Sequence, residues 1–304
     1  MFLFLKKIYS VFKKILIKVR IKIRVIYSKD FIPNWLFIRL FNLDFFFSGI
    51  NLSIQNGAED LFEIKEKDQK KKKKFIWYVS KKLKRRLILS FAKGIHQIGT
   101  RIAENYALDL IEFKEGDFVI DCGANLGALW IYLNSLDIKI NYICVEPGIY
   151  EFQGLLKSIN YFKNTKIKSH LINKALSDKE GEVSFFYSPN SADSSIIKYS
   201  DYDQIQKIST TTIEKIINDL NLKNKQIKLF KLEAEGAEPE VIDGALNAIK
   251  NFDYIAADLG PERGFNQECT LKEVSNKIFD EFLIENFKFP RICCLYINKK
   301  INLK

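Results

Sequence analysis

The stretch Asp117-Phe-Val-Ile-Asp-Cys-Gly-Ala-Asn-Leu-Gly-Ala128 limits the fold more than any other part of the chain. A short apolar run ends in an acid, a glycine-bearing turn follows, and apolar residues at helical spacing continue through Trp130, Ile131 and Leu133. That order reads as strand, turn and helix, the opening unit of an α/β sheet. Gly123 and Gly127 let the backbone approach a ligand and adopt conformations closed to other residues. A dinucleotide turn would read G-x-G-x-x-G and seat a pyrophosphate on the helix N-terminus. Here Asn125 stands where the second glycine would be, and Asp121 closes the strand. This suits a positively charged amino-acid nucleoside better than a pyrophosphate, so Asp121, Gly123, Asn125 and Gly127 are predicted to line a cofactor loop.

Further strands repeat the pattern of apolar run and polar carboxyl end. Asn141 to Val145 ends in Glu146-Pro147, about twenty residues past the glycine turn, where a carboxylate accepts hydrogen bonds from ribose hydroxyls. Ile167 to Lys174 runs into Ala175-Leu-Ser-Asp178, a turn that borders an adenine ring in this architecture, although Asp178 equally suits a turn cap. Ile227 to Leu232 carries Glu233 and Glu235 at its end. Pro239, Glu238 and Glu240 that follow have a structural explanation as a helix start. Asp253 to Leu259 supplies a strand ending at Asp258, and Arg263 beyond it reads as a substrate-binding cation or a loop ion pair. Arg101 to Ile111 is an amphipathic helix leading into the first motif. Residues 86–304 are thus expected to form one α/β domain with a mostly parallel sheet and helices on both faces.

These blocks resemble the FkbM-type methyltransferase family. The resemblance runs from Gly94 to Leu259 through Val119–Gly127, Val145–Pro147, Lys174–Asp178, the Thr-rich helix start Thr210–Ile213, and Lys231–Glu238. It implies a class I Rossmann-like fold, S-adenosyl-L-methionine as methyl donor, and O-methylation of a sugar, glycan, glycolipid or polyketide-type acceptor. Family members commonly carry aspartate where Glu233 stands and glutamate where Asp258 stands. Sugar hydroxyls have high pKa values, so a positioned base is expected. Glu235 and Glu233 are the leading candidates and Asp258 the third, ahead of His96 and His170, and a divalent metal shared by these acids is left open. Two other classes compete: a nicotinamide-linked oxidoreductase on the same fold, and a non-catalytic membrane-surface or scaffolding protein.

Charge separates the ends of the chain. Residues 1–100 hold 23 Lys/Arg against 7 Asp/Glu, and the remainder 25 against 30, so the net +11 belongs to the N-terminal third. A basic extension is expected there, with an amphipathic segment over 1–50 and a strand hairpin over 51–85. Phe4, Leu5, Ile8, Val11, Phe12 and Ile15 share a helical face, whereas Ile17 to Val25 alternate with strand period, which predicts that the helix ends near Leu16. Residues 1–30 suit an anionic membrane surface or a partner. Glu59–Ile64 and Phe75–Ser80 are expected as strands around an exposed Lys65–Lys74 turn, and nucleic-acid binding is disfavoured because the basic excess does not extend over the domain. Lys6, Lys7, Lys13 and Lys14 break any signal-peptide core, and the longest apolar run, Trp35–Ile50, is interrupted by Arg39 and Asp44, so no spanning helix is expected. Five cysteines without a C-x-x-C unit fit a reduced cytoplasmic setting, with Cys122 and Cys144 as core residues.

Overall fold

The computed structural model describes residues 2–29, 31–67, 74–162, 165–188, 193–198, 204–288 and 291–302, with only the backbone of 2–10 and 12. Contacts divide the chain into two units, Met1–Ile95 and His96–Lys304.

In the first unit, helix α1 (Phe2–Tyr27) and helix α2 (Asn34–Ser48) precede a three-stranded antiparallel sheet of β1 (Leu52–Asn56), β2 (Leu61–Lys67) and β3 (Lys74–Ser80), followed by a short helix α3 (Lys84–Ser90). α1 does not end near Leu16. It runs unbroken to Tyr27, because the residues with buried partners recur at helical spacing. Arg20 and Arg24, one turn apart, donate to the two oxygens of Asp44 at 2.7 and 2.6 Å, and the Tyr27 hydroxyl adds a third bond at 2.9 Å. Ile23 is buried on the same side. The strand-like alternation of Ile17 to Val25 is real in the sequence but has no sheet to pair with, whereas the helical register satisfies a carboxylate that is 0% exposed. The face assigned to Phe4, Leu5, Ile8 and Phe12 lies outside the described residues, as does most of the lysine run. α2 buries Phe37, Phe41 and Phe45, and Phe37 lies 5.2 Å from the Phe62 ring of β2. Asn42 clamps α2 to β1 by exchanging two bonds with the backbone of Ile54. Asp44 therefore interrupts an apolar helix as a buried ion-pair partner, and among the described residues no helix is long and apolar enough to cross a membrane.

The second unit opens with helix α4 (His96–Tyr106), which packs on α5 (Ala128–Ser135). The parallel strands are β4 (Phe118–Cys122), β5 (Ile140–Val145), β6 (Ile167–Ile172), β10 (Ile227–Leu232) and β11 (Phe252–Asp258). Connecting helices are α5, α6 (Ile149–Tyr161), α7 (Ile213–Asp219) and α8 (Glu238–Asp243). A small sheet of β7 (Ala175–Leu176), β8 (Gly181–Tyr187) and β9 (Gln204–Thr211) sits between β6 and α7 in the chain. After β11 come the ribbon β12 (Pro261–Arg263) and β13 (Glu268–Cys269), helix α9 (Leu271–Ile278), strands β14 (Phe282–Lys288) and β15 (Cys293–Asn298), and a last turn α10 (Lys299–Asn302).

The central sheet runs β14-β15-β11-β10-β4-β5-β6. β15 is antiparallel to both of its neighbours. The chain winds outward from β4 in one direction through β5 and β6, then returns to β10 and β11 on the other side. Right-handed crossovers in opposite directions put the connecting helices on opposite faces. The reversal falls between β4 and β10, and open sheets of this kind bind ligands beyond the strand carboxyl ends at such a reversal. Register aligns those ends: Cys122 is opposite both Val145 and Leu232, and Leu232 is opposite Ala257. The residues that follow each strand thus emerge in one row. Behind the row lies a core that includes Ile120, Ile143, Phe230, Leu232, Ile255 and Tyr296. Cys122 and Cys144 are buried free thiols, as core residues should be.

Replacing Asp44 with alanine leaves the Tyr27 hydroxyl buried without its acceptor and two arginines without their anion. We expect a loss of about 2–3 kcal/mol, less than for a wholly buried pair because both arginines keep part of their hydration. Urea unfolding of the full chain, followed by tryptophan fluorescence, reads this as a lower midpoint for the transition of the first unit.

Candidate active site

Lys231 is the penultimate residue of β10 and is 1% exposed. A cation buried between strands has to be paired. Its ammonium sits 2.9 Å from Glu233 and 3.3 Å from Asp121, and donates to the carbonyls of Cys122 and Gly123 at 2.9 and 2.8 Å. Burial works against the charged lysine, but Glu233 and Asp121 outweigh it, so the proton is held more firmly than usual. Asp121 is pushed up by burial and pulled back by Lys231 and by the Tyr142 hydroxyl, which donates to it at 2.5 Å. Asp121 thus accepts from Tyr142 on one oxygen and faces the Lys231 ammonium with the other, and it fixes the base of the loop.

Glu233 is held below the usual carboxylate range: burial raises it, and Lys231 with Arg291 more than reverse that. Arg291 lies in the turn between β14 and β15, reaches Glu233 at 3.1 Å, and pairs also with Asp258. Asp258 stands opposite Cys293 at the end of β11, is 1% exposed, and is raised by burial and by Glu233 against the pull of Arg291. The buried Tyr106 of α4 faces the same group, its hydroxyl pushed up by burial and by Glu233 and Asp258.

The glycine turn is built on close approach. Gly123 has φ +69°, and a Cβ there would lie 2.2 Å from the Glu233 carbonyl oxygen. The space is taken by β10's exit rather than by a ligand, so this glycine ties the two strands of the sheet reversal together. Asn125 and Gly127 also take positive φ, 51° and 80°. The amides of Gly123 and Ala124 both donate to the Val145 carbonyl, Gly127 donates to Ala124, and Asn125 donates to Glu146 at 2.6 Å. Glu146 accepts a second amide from Gly148 at 2.8 Å and is 6% exposed. Loop donors that a pyrophosphate would need are engaged inside the protein, and a pre-oriented carboxylate stands beside them.

Glu235 leaves β10 in the left-handed region, φ 51°, a strained setting for a residue with a side chain. Its carbonyl accepts from the Ser195 hydroxyl at 2.7 Å. Glu238 organises the turn from below, accepting from the amides of Ala234 and Gly236 and from Thr270. Burial raises it to about 6 despite those bonds. Glu240 forms a two-pronged pair with Arg263, at 2.8 and 2.5 Å. Arg263 is thus a loop ion pair, and Glu238 and Glu240 have the structural role expected of them. Glu235 is raised well above the carboxylate range by burial, then by Glu262, Glu233 and Asp193. Glu262 on β12 hydrogen-bonds Glu235 and is itself raised to about 8, by burial first and by Asp258 next.

The structure therefore gathers Asp121, Gly123, Glu233, Glu235 and Asp258 around the sheet reversal, with Asn125, Gly127 and Glu146 on the adjoining turn. Ala175 and Asp178 lie at the small sheet instead. Ala175 is buried opposite Thr210, and Asp178 is exposed and accepts from the Ser177 hydroxyl. Lys231, Tyr142, Arg291 and Glu262 were not singled out from sequence. Only Lys231 carries a local signal, a lysine inside an otherwise apolar strand. Among the described residues, no group of three or more His, Cys, Asp or Glu is arranged to hold a metal ion.

Residues 121–291, more than half of the chain, match the family described as Methyltransferase FkbM domain. The chain belongs to the FkbM methyltransferase family. The family uses S-adenosylmethionine, and the chemistry of the residues at the sheet reversal fits a cationic nucleoside donor: glycine-turn amides bonded within the protein, a buried carboxylate at the end of β5, and more carboxyl groups than the two cations Lys231 and Arg291. The hexuronic acid methyltransferase AglP of Haloferax volcanii is 26% identical over 156 residues, which cover 49% of this chain. The chain spans 59% of the length of that relative. Among solved structures, the FkbM methyltransferase of Methylobacillus flagellatus KT is 17% identical with a TM-score of 0.45, covering 70% of this chain and 59% of that one. The magnesium protoporphyrin IX methyltransferase ChlM of Synechocystis PCC 6803, with bound SAM, is 10% identical with a TM-score of 0.39, covering 67% and 79%.

Two substitutions test this packing. Lys231→Met strands two carboxylates at the sheet reversal and should cost the second unit about 3–5 kcal/mol, read as a lower denaturant midpoint. An unchanged midpoint would mean that the ammonium does not hold the site together. Gly123→Ala forces the Glu233 carbonyl away and should weaken binding of S-adenosylhomocysteine at least about tenfold in calorimetric titration, a loss of about 1.4 kcal/mol or more.

Proposed function

We propose that this chain transfers a methyl group from S-adenosylmethionine to an oxygen of a sugar or sugar-derived acceptor, with Glu235 as the general base. The observation that carries the reading is the Glu235–Glu262 pair beside the cofactor loop: a carboxyl held proton-binding by burial and by like charge, at the carboxyl end of the strand next to the glycine turn. The name of the 26% identical relative, a hexuronic acid methyltransferase, supports a sugar acceptor.

When bound, S-adenosylmethionine supplies an electrophilic methyl on a cationic sulfonium. Glu146 would hold its ribose hydroxyls from the end of β5, oriented there by the amides of Asn125 and Gly148. Gly123, Asn125 and Gly127 would give the backbone contour against its amino-acid end, Ala175 and Asp178 the border of the adenine, and Asp121 the rigid floor. Most of the acceleration in an in-line transfer comes from holding the acceptor oxygen close and aligned. Glu235 then takes the hydroxyl proton as the oxygen attacks, a contribution of about 10²- to 10⁴-fold. Glu233 and Asp258 are less available as bases because both are tied up in the ion pairs with Arg291. The intermediate exposure of Glu235 leaves it open to an acceptor.

Glu235→Gln should lower kcat by at least about 10²-fold with the affinity for S-adenosylhomocysteine unchanged, assayed on a panel of sugars and uronic acids. Retained turnover would remove Glu235 as base and favour an acceptor that arrives ionised, such as a uronic acid carboxylate. The pH profile gives a second check. A base must be deprotonated to act and both carboxyls are raised, so kcat/KM should still climb with pH above the ordinary carboxylate range rather than level off within it. Glu262→Gln removes the strongest of the like charges beside Glu235, with Glu233 and Asp193 remaining, and the limb should move to lower pH. A profile flat from weakly acidic to alkaline pH would exclude the pair.

A further inference from the structure

The first unit carries a surface that methyl transfer does not use. Among its described side chains, helix α1 is covered along one side, where Ile23, Tyr27 and the Arg20 and Arg24 pairs meet α2. On the opposite side Val11, Ile15 and Val25 are each more than half exposed, and Lys18 and Lys22 are exposed between them. At about 100° per residue these five fall within about 80° of arc. Lys14, Ile21 and Ile26 widen the exposed strip on its flanks. No Asp or Glu precedes Asp30. In the turn and helix that follow, Phe31 is 80% exposed and Trp35 58%.

We propose that the outer face of α1 docks on an anionic lipid bilayer surface. Charge complementarity selects this occupant. A second copy of the same face would set lysine against lysine. A polyanion such as nucleic acid would meet the lysines but leave three branched aliphatic side chains in water. An anionic bilayer surface answers both features: the aliphatic groups enter the acyl boundary, while the lysine stems lie along them and carry their ammonium groups to the headgroup phosphates. Exposed aromatic residues such as Phe31 and Trp35 are at home at that depth. Lysines and arginines along α1 rule out crossing and favour lying in the interface. The internal ion pairs with Asp44 set the rotation of the helix, so that the open arc, not the arginine side, faces outward.

Flotation of the full chain with vesicles tests the proposal. Vesicles of phosphatidylcholine mixed with phosphatidylglycerol should bind it at least about tenfold better than phosphatidylcholine alone, and added salt should weaken that binding. The triple variant Lys14→Glu, Lys18→Glu, Lys22→Glu should abolish flotation. A second variant, Val11→Ser, Ile15→Ser, Val25→Ser, should reduce it about tenfold at unchanged salt sensitivity. All six positions are exposed, so both variants should keep the thermal transition of the parent. A folded chain that stays with neither vesicle, or flotation indifferent to both triples, would overturn the proposal. So would a dimer in sedimentation velocity that the aliphatic triple dissolves, which would assign the face to a second copy.

Discussion

The second unit depends on one buried ammonium. Lys231 holds Asp121 from β4 and Glu233 from the exit of β10, and it also binds the last carbonyl of β4 and the first of the glycine turn. These are the two strands between which the winding direction changes, where no crossover helix directly joins neighbours. Side chains and carbonyls must therefore close the gap that connectivity leaves open. Apolar residues would fill the space as well, and buried ion pairs are weak evidence for stability as such. What the ammonium adds is direction: it fixes where two carboxylates point and how closely the Gly123 turn approaches Glu233, and both set the floor on which a ligand rests.

Around that floor the chain treats its two kinds of polar group in opposite ways. Backbone amides of the glycine turn are spent within the protein, on Val145, Ala124 and Glu146. Carboxylates are left in excess, and the two cations that face them are already shared. A site with its loop amides bonded within the protein and more carboxyl groups than cations disfavours a pyrophosphate and favours a cation. The nicotinamide alternative fails on this physical ground as well as on the family match.

Much of this was legible from residues. The strand run closed by Asp121 and those read at 141–145, 227–232 and 253–259 announced themselves by apolar composition, and the structure places them within a residue or so of those bounds with their carboxyl ends in register. The two last strands were not anticipated: Phe282–Lys288 carries Glu285, Asn286 and Lys288 along its length, and β15 gains its place only by pairing with β11. Arg291 was unreadable for the same reason, since a turn between two antiparallel strands reaches the site only through that pairing. Helix α1 failed differently. Its alternation of Ile with Lys and Arg over 17–25 has a genuine period of two, and only Asp44, some twenty residues on, decides for the helix. Local pattern cannot see a partner on another element.

Gly123 shows how a correct residue can be chosen for an incomplete reason. Its spacing pointed to a ligand against the backbone, yet the atom its missing Cβ makes room for is the Glu233 carbonyl. Cofactor loop and candidate base therefore share one constraint. The turn that positions Glu146 is pressed against the strand exit that launches Glu235, so a shift in either displaces the other. In-line transfer requires donor and acceptor groups to be held in a single frame, and here that frame is a contact between two backbones, with the Lys231 ammonium bonded to both sides of it.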